Sequence, residues 1–262
     1  MKRSSGARLC STAAIGALSL ALLTGCSSDE GSKDSGDSKG SASSSAASDA
    51  KARTAAELEK LLLAQGEVKG YKVASGDDTL PKSKSAVKTD KAACDPLAWA
   101  TAALAPGDTD AGAGNTVSAD KASDAPTSLG DLDEADIEDA FNVDMTFVGL
   151  SSYEGDGAEK TMKAVSDGVT ACSGGYALKA EGEESKVTKV ASEKGTGGGD
   201  EAVAFSENVD MDGEGTATFH AEVIRKGNTI ATFYTVNFAA FATGKGTPVP
   251  AAVVEAQVAK LK

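Results

Sequence analysis

A single histidine, His220, and four cysteines are the residues of this 262-residue chain best suited to nucleophilic or metal chemistry. A histidine base works beside a Ser or Cys nucleophile, but no G-x-S-x-G elbow occurs. Strand alternation sets His220 on the face opposite Phe219 and Val223, so it is expected to be a strand histidine and not a catalytic base. Zinc needs several His, Cys or carboxylate ligands held together, and with one histidine no metal site is expected. Asn208, Asp210, Asp212 and Gly213 match positions 1, 3, 5 and 6 of a calcium loop, yet the twelfth position, which requires a bidentate Glu, is Phe219. That stretch reads as a hairpin turn, with a cation site as the alternative. "GTGGGDEAV", from Gly195, precedes a strand instead of following one, so it lacks the setting of a phosphate-binding loop and reads as a flexible turn. "DLDEADIEDA" holds six carboxylates (Asp131, Asp133, Glu134, Asp136, Glu138 and Asp139) and reads as a solvated acidic surface, again with cation capture as the alternative. No catalytic residue and no cofactor are expected, and the chain is read as a non-enzyme.

The cysteines divide by position. Lys2, Arg3 and Arg8 precede a mostly apolar run from Leu9 to Leu23, which ends in the small residues Thr24 and Gly25. This is the three-part pattern of an export signal. The run of about 15 residues falls short of the roughly 20 that a membrane-spanning helix needs. Leu23-Thr24-Gly25-Cys26 resembles the lipobox of bacterial lipoproteins. That resemblance implies cleavage between Gly25 and Cys26, a diacylglycerol on the Cys26 thiol, and Cys26 as the mature N-terminus. Two acyl chains suffice for stable anchoring where one is marginal. Cys10 would leave with the signal peptide, so Cys94 and Cys172 remain as an even pair in an oxidising compartment, which suggests a disulfide. Two free thiols or a redox role are the alternatives.

Residues 26–50 follow as the lipidated cysteine and a Ser/Gly/Asp-rich segment too poor in large apolar residues to offset the entropy of ordering. It reads as a disordered tether with a root-mean-square reach of about 27 Å. Loss of residues 1–25 would remove three basic residues and no acidic ones, leaving 23 Lys+Arg against 39 Asp+Glu, net charge −16. Nucleic acid and electrostatic adhesion to anionic lipid both need clustered cations, so neither is an expected partner. The acyl chains on Cys26 would carry the membrane contact.

Residues 51–262 are long enough for one large extracytoplasmic domain. Thr54-Ala-Ala-Glu57 has capping-box spacing ahead of Leu58, Leu61 and Leu62, and Gly66 is placed to stop that helix. "GYKVASG" reads as a strand. A second helix is predicted from Pro96 to Leu104, with Asp95 as its cap. Residues 107–130, rich in small and polar residues, read as a loose loop. Phe141 to Tyr153 alternates as a strand, and Ala158, Met162, Val165, Val169 and Cys172 trace one helical stripe. A cysteine on that stripe can tie its helix to the helix beginning just after Cys94. Short strands over 176–179, 186–191 and 201–207 lead to a hairpin. In it Ala217, Phe219, Ala221 and Val223 share a face with Ile230, Thr232, Tyr234, Val236 and Phe238, across a turn at Gly227. Pro248 and Pro250 introduce a last helix carrying Val253, Val254, Gln257, Val258 and Leu261. The fold class is α+β, an antiparallel sheet with packed helices.

The layout resembles secreted actinobacterial lipoproteins of the Streptomyces type. "AACDPLAWA", "SSYEGDGAEKTMKAVSDGVTACSGGY" and "VIRKGNTIATFYTVN" are similar to segments of extracellular sensor domains in mycobacterial receptor Ser/Thr kinases. That resemblance implies an α+β domain with a groove for a ligand or partner, held at the outer face of the cell membrane. The expected function is binding or sensing of an unidentified ligand. A structural or protein-interaction role in the envelope is the alternative, and an extracytoplasmic hydrolase a third possibility.

Overall fold

The computed structural model describes residues 51–75, 80–109, 111–120, 142–180, 182–210, 215–237 and 240–261. All belong to one compact unit, Ala42–Lys262. The expected signal peptide, Cys26 and its tether, the acidic run 131–139, and Asp212 and Gly213 lie outside the described residues.

The chain opens on the expected capped helix, which ends at Glu59, short of the stop expected at Gly66. In helix α1 (Ala55–Glu59) the Thr54 hydroxyl accepts from Glu57 N, and Glu57 Oε2 accepts from Thr54 N at 2.8 Å, completing the capping box. Strand β1 (Tyr71–Ser75) follows, then a short β2 (Val87–Thr89) and helix α2 (Asp95–Thr101). Asp95 is not the cap of α2. A single 3₁₀ turn over Ala92–Cys94 runs into the helix and makes Cys94 the cap, while the Asp95 carboxylate accepts the Thr89 hydroxyl at 2.7 Å.

The expected loop at 107–130 is corrected in its first half. Gly112–Ala119 is a strand, β3, paired on one side with β1 and on the other with β4 (Asp144–Ser152). Its small side chains carry no apolar alternation, but two neighbours satisfy its backbone groups, and pairing overrides propensity. Residues 121–130 lie outside the described residues.

Helix α3 (Gly157–Ala171), strands β5 (Tyr176–Ala180), β6 (Glu183–Glu193), β7 (Glu201–Asp210), β8 (Thr216–Lys226) and β9 (Thr229–Asn237), and helices α4 (Ala240–Thr243) and α5 (Ala251–Lys260) complete the order. All nine strands form one antiparallel sheet in the order β1-β3-β4-β9-β8-β7-β6-β5-β2. The α+β architecture is therefore the one expected.

Both faces of the sheet are covered. Phe205, Ala221, Val223 and Ile230 pack with Leu97 of α2 and with Met162 and Val165 of α3. On the opposite face Val117, Val148, Ile224, Ala231 and Phe233 pack with Leu58 of α1 and with Val253, Val254 and Val258 of α5. The Cys94–Cys172 disulfide joins the start of α2 to the end of α3, as the stripe on α3 implied. The two helices also touch closely, since a Cβ on Gly168 would stand 3.0 Å from Ala93 O. Gln257, fully buried on α5, donates to Leu61 O at 2.8 Å and accepts from Leu63 N at 3.1 Å. The last helix thereby latches onto the chain that follows the first.

Candidate functional site

A cleft of about 660 Å³ opens on the face of the sheet that carries α2 and α3. It is bounded by residues 80–85, by the turn 102–105 after α2, and by 112–116 of β3. Clefts of 300–1,000 Å³ suit small ligands. The floor is made of backbone. Gly114 and Gly149 face each other across β3 and β4, and a Cβ on Gly149 would stand 2.6 Å from both Ala103 O and Thr232 Oγ1. Glycine at that position lets the turn after α2 come down onto the sheet. Ala103 itself takes φ 54°, a left-handed conformation that costs a non-glycine residue roughly 1–2 kcal/mol. That strain sits at the wall of the cleft, where such outliers concentrate in functional sites.

The charged residues lining the cleft, among those described, are Lys82 and Lys84. Lys84 is half-buried. Its ammonium donates to Gly107 O and lies 5.1 Å from the centre of the Trp99 ring. Gly107 is fixed in turn, because its N–H donates to the hydroxyl of buried Tyr153 at 3.2 Å and a Cβ there would collide with Thr161. Burial raises the Tyr153 phenol above its ordinary value, so it stays protonated. Ser83 and Ser85 stand on either side of Lys84 in sequence, their hydroxyls 2.8 Å apart. The buried side-chain polar atoms without a protein partner, among the described residues, are Trp99 Nε1 and Asn115 Oδ1. Trp99 carries the ring beside Lys84; Asn115 shares the parity of Val117 and turns its side chain to the α1/α5 face, where Nδ2 donates to Leu63 O at 2.8 Å.

No protein-family model and no curated protein matches this chain. Among solved structures it is similar to the extracellular domain of PknH from Mycobacterium tuberculosis, with a TM-score of 0.45 and 12% identity. The match covers 80% of this chain and 98% of that one.

The residues singled out from sequence are dispersed through the fold. His220 lies on the sheet face opposite Val223, as alternation requires, and its Nδ1 is 2.8 Å from Glu193 Oε2. The glycine-rich stretch is a turn with a defined anchor. Glu222, buried on β8, accepts from Thr196 N at 3.0 Å and from Gly197 N at 2.8 Å. A Cβ on Gly195 would come within 2.4 Å of that same carboxylate, and one on Gly199 within 2.3 Å of Arg225 O. Those glycines permit close approach to the protein's own sheet. Asn208 and Asp210 are the last residues of β7 and not the start of a free loop. Cys94 and Cys172 are brought together; His220 and the cleft are not.

Two features escaped the sequence reading. The cleft depends on β3, whose composition hid it. Glu207 is buried on the α2/α3 face, accepting from Tyr176 Oη at 2.7 Å. Burial pushes its carboxyl up to about 7, opposed by the Tyr176 hydrogen bond. Tyr176 and Tyr234 are held well above the ordinary phenol range, first by burial and then by the Glu207 charge. The clue was phase: Glu207 shares the parity of Phe205 and Val209, and so points to the core.

Proposed function

We propose that this chain is a lipid-anchored extracytoplasmic protein that binds a small ligand in the cleft between residues 80–85, the 102–105 turn and β3, without catalysing a reaction on it. The observation that supports the binding role most directly is the cleft itself. Its size suits a small molecule, its floor is cleared of side chains by glycine, and its wall is held in a strained conformation at Ala103.

The anchor rests on the resemblance of Leu23-Thr24-Gly25-Cys26 to a lipobox. Cys26→Ala is expected to abolish incorporation of labelled palmitate and to release the protein from the membrane fraction; labelling that persisted would remove the anchor.

The binding role is tested by native mass spectrometry of the protein after incubation with envelope extract, compared with Gly112→Trp. A Cβ on Gly112 meets only Leu150 O, at an ordinary 3.5 Å, so the indole can enter the cleft without disturbing the sheet. A small molecule retained by the wild type and lost from the variant supports the reading. Retention by both places the ligand elsewhere, and capture of a protein alone favours an interaction role.

A further inference from the structure

We infer that the ligand of this cleft is an acidic amphiphile: a narrow apolar body bearing one carboxylate or phosphate, with the anionic group held at Lys84. This rests on the binding role proposed above and adds the chemistry of what is bound.

The argument begins with charge. The chain carries 39 acidic residues against 26 basic ones, yet the charged side chains lining the cleft among the described residues are both cations. Lys84 is half-buried, and among the described residues it pairs with no carboxylate; its ammonium meets a carbonyl and an aromatic face. A carbonyl takes one of the three ammonium donors and leaves two. A partly desolvated cation without a counter-ion gains strongly from an anion brought to it, because the local dielectric is low and the cost of desolvating the cation has already been met. The position is also built in advance. Tyr153 fixes Gly107, Gly107 receives the ammonium, and the Trp99 ring limits where it can swing. The Ser83 and Ser85 hydroxyls share one hydrogen bond between them, so one proton remains to be donated to a bound anion.

The apolar half follows from the remaining lining. Leu80, Pro81, Leu104 and the alanines of the 102–105 turn offer methyl and methylene groups, and Gly112 and Gly114 leave the floor flat. Against those residues a polyhydroxylated body would leave its own hydroxyls unsatisfied, which is costly. A narrow hydrocarbon body loses nothing by contact with such walls.

The test is calorimetric titration of the purified full-length protein with decanoate, decyl phosphate, decan-1-ol and inorganic phosphate, each below any micellar concentration. Wild type should bind the two acidic amphiphiles about 10-fold or more tightly than decan-1-ol, the usual scale for a charge-assisted hydrogen bond. Lys84→Met should bring all three within about 3-fold of one another while decan-1-ol affinity stays put, which also shows the cleft intact; Lys84→Arg should keep most of the preference. Equal binding of decan-1-ol and decanoate, or a preference unchanged in Lys84→Met, would overturn the inference. Inorganic phosphate binding as tightly as decyl phosphate would overturn the amphiphile. The binding role fails separately: if an extract ligand sensitive to Gly112→Trp exists but none of the four probes binds, only the inference falls, and if neither binds, both do.

Discussion

Replacing Cys94 and Cys172 together by alanine, or reducing their bond, is expected to lower the unfolding free energy of the domain by about 4.5 kcal/mol in the chain-entropy model for a closed loop of this length. The two cysteines are 78 residues apart in sequence and fully buried. The bond therefore restricts a long stretch of the unfolded chain. Domains have only about 5–15 kcal/mol to lose, so a shift of this size should be plain in the denaturant midpoint, with a steeper slope because the uncrosslinked unfolded chain exposes more surface. Part of the tie is already present without sulfur, because Gly168 lets α3 lie so close to Ala93 and Leu97 that an added Cβ would stand 3.0–3.4 Å from their atoms. The variant should accordingly fold to the same sheet and simply unfold sooner. Two reactive thiols counted in the denatured, unreduced protein would remove the bond, and a midpoint unmoved by reductant would remove its stabilising role.

What could be read from the sequence was what local periodicity encodes. The capping box at Thr54, the stripe from Ala158 to Cys172 and the hairpin around Gly227 all appear where spacing placed them. The hairpin reading was half complete. It assigned Ala217 to Val223 and their partners to the inside, but Ile224, Ala231 and Phe233 on the other face are just as buried, because α1 and α5 cover them. A strand flanked by helices on both sides has no polar face to announce it. β3 was unreadable for a different reason. Its small side chains carry no apolar alternation, and its stability comes from two neighbours that are distant in sequence. Since the cleft lies on β3 and on the stretch containing Lys84, which reads as an ordinary polar run, the candidate site could not be found before the fold. The Cys94–Cys172 pair was legible from the even count of cysteines left after Cys10 and Cys26 and from the place of Cys172 on the α3 stripe.

Glu207 should make the stability of this domain fall as pH rises, the reverse of the usual behaviour of a paired carboxylate. Its carboxyl is pushed from 4.5 in the unfolded reference up to about 7 by burial. The folded state then binds the proton more tightly than the unfolded state. Stability is full below about pH 4.5, declines between about 4.5 and 7, and is level above that. The interval of about 2.5 units corresponds to about 3 kcal/mol, or roughly 6–12 °C in Tm for a domain of this size. Tyr176 and Tyr234 stay neutral throughout this range, both phenols being held above their ordinary value. Tyr176 donates its one proton to Glu207 Oε1, so the ionised carboxylate has a single strong donor in an apolar setting beside Phe219 and Val209. Glu207→Gln keeps an acceptor for Tyr176 without the charge. It should match or slightly trail wild type at pH 5 and exceed it at pH 8, with a nearly flat profile between. Tyr176→Phe should do the opposite, moving the decline to higher pH by removing the one interaction that favours the charged form. Parallel wild-type and Glu207→Gln profiles from pH 5 to 8 would show that Glu207 is not the titrating group.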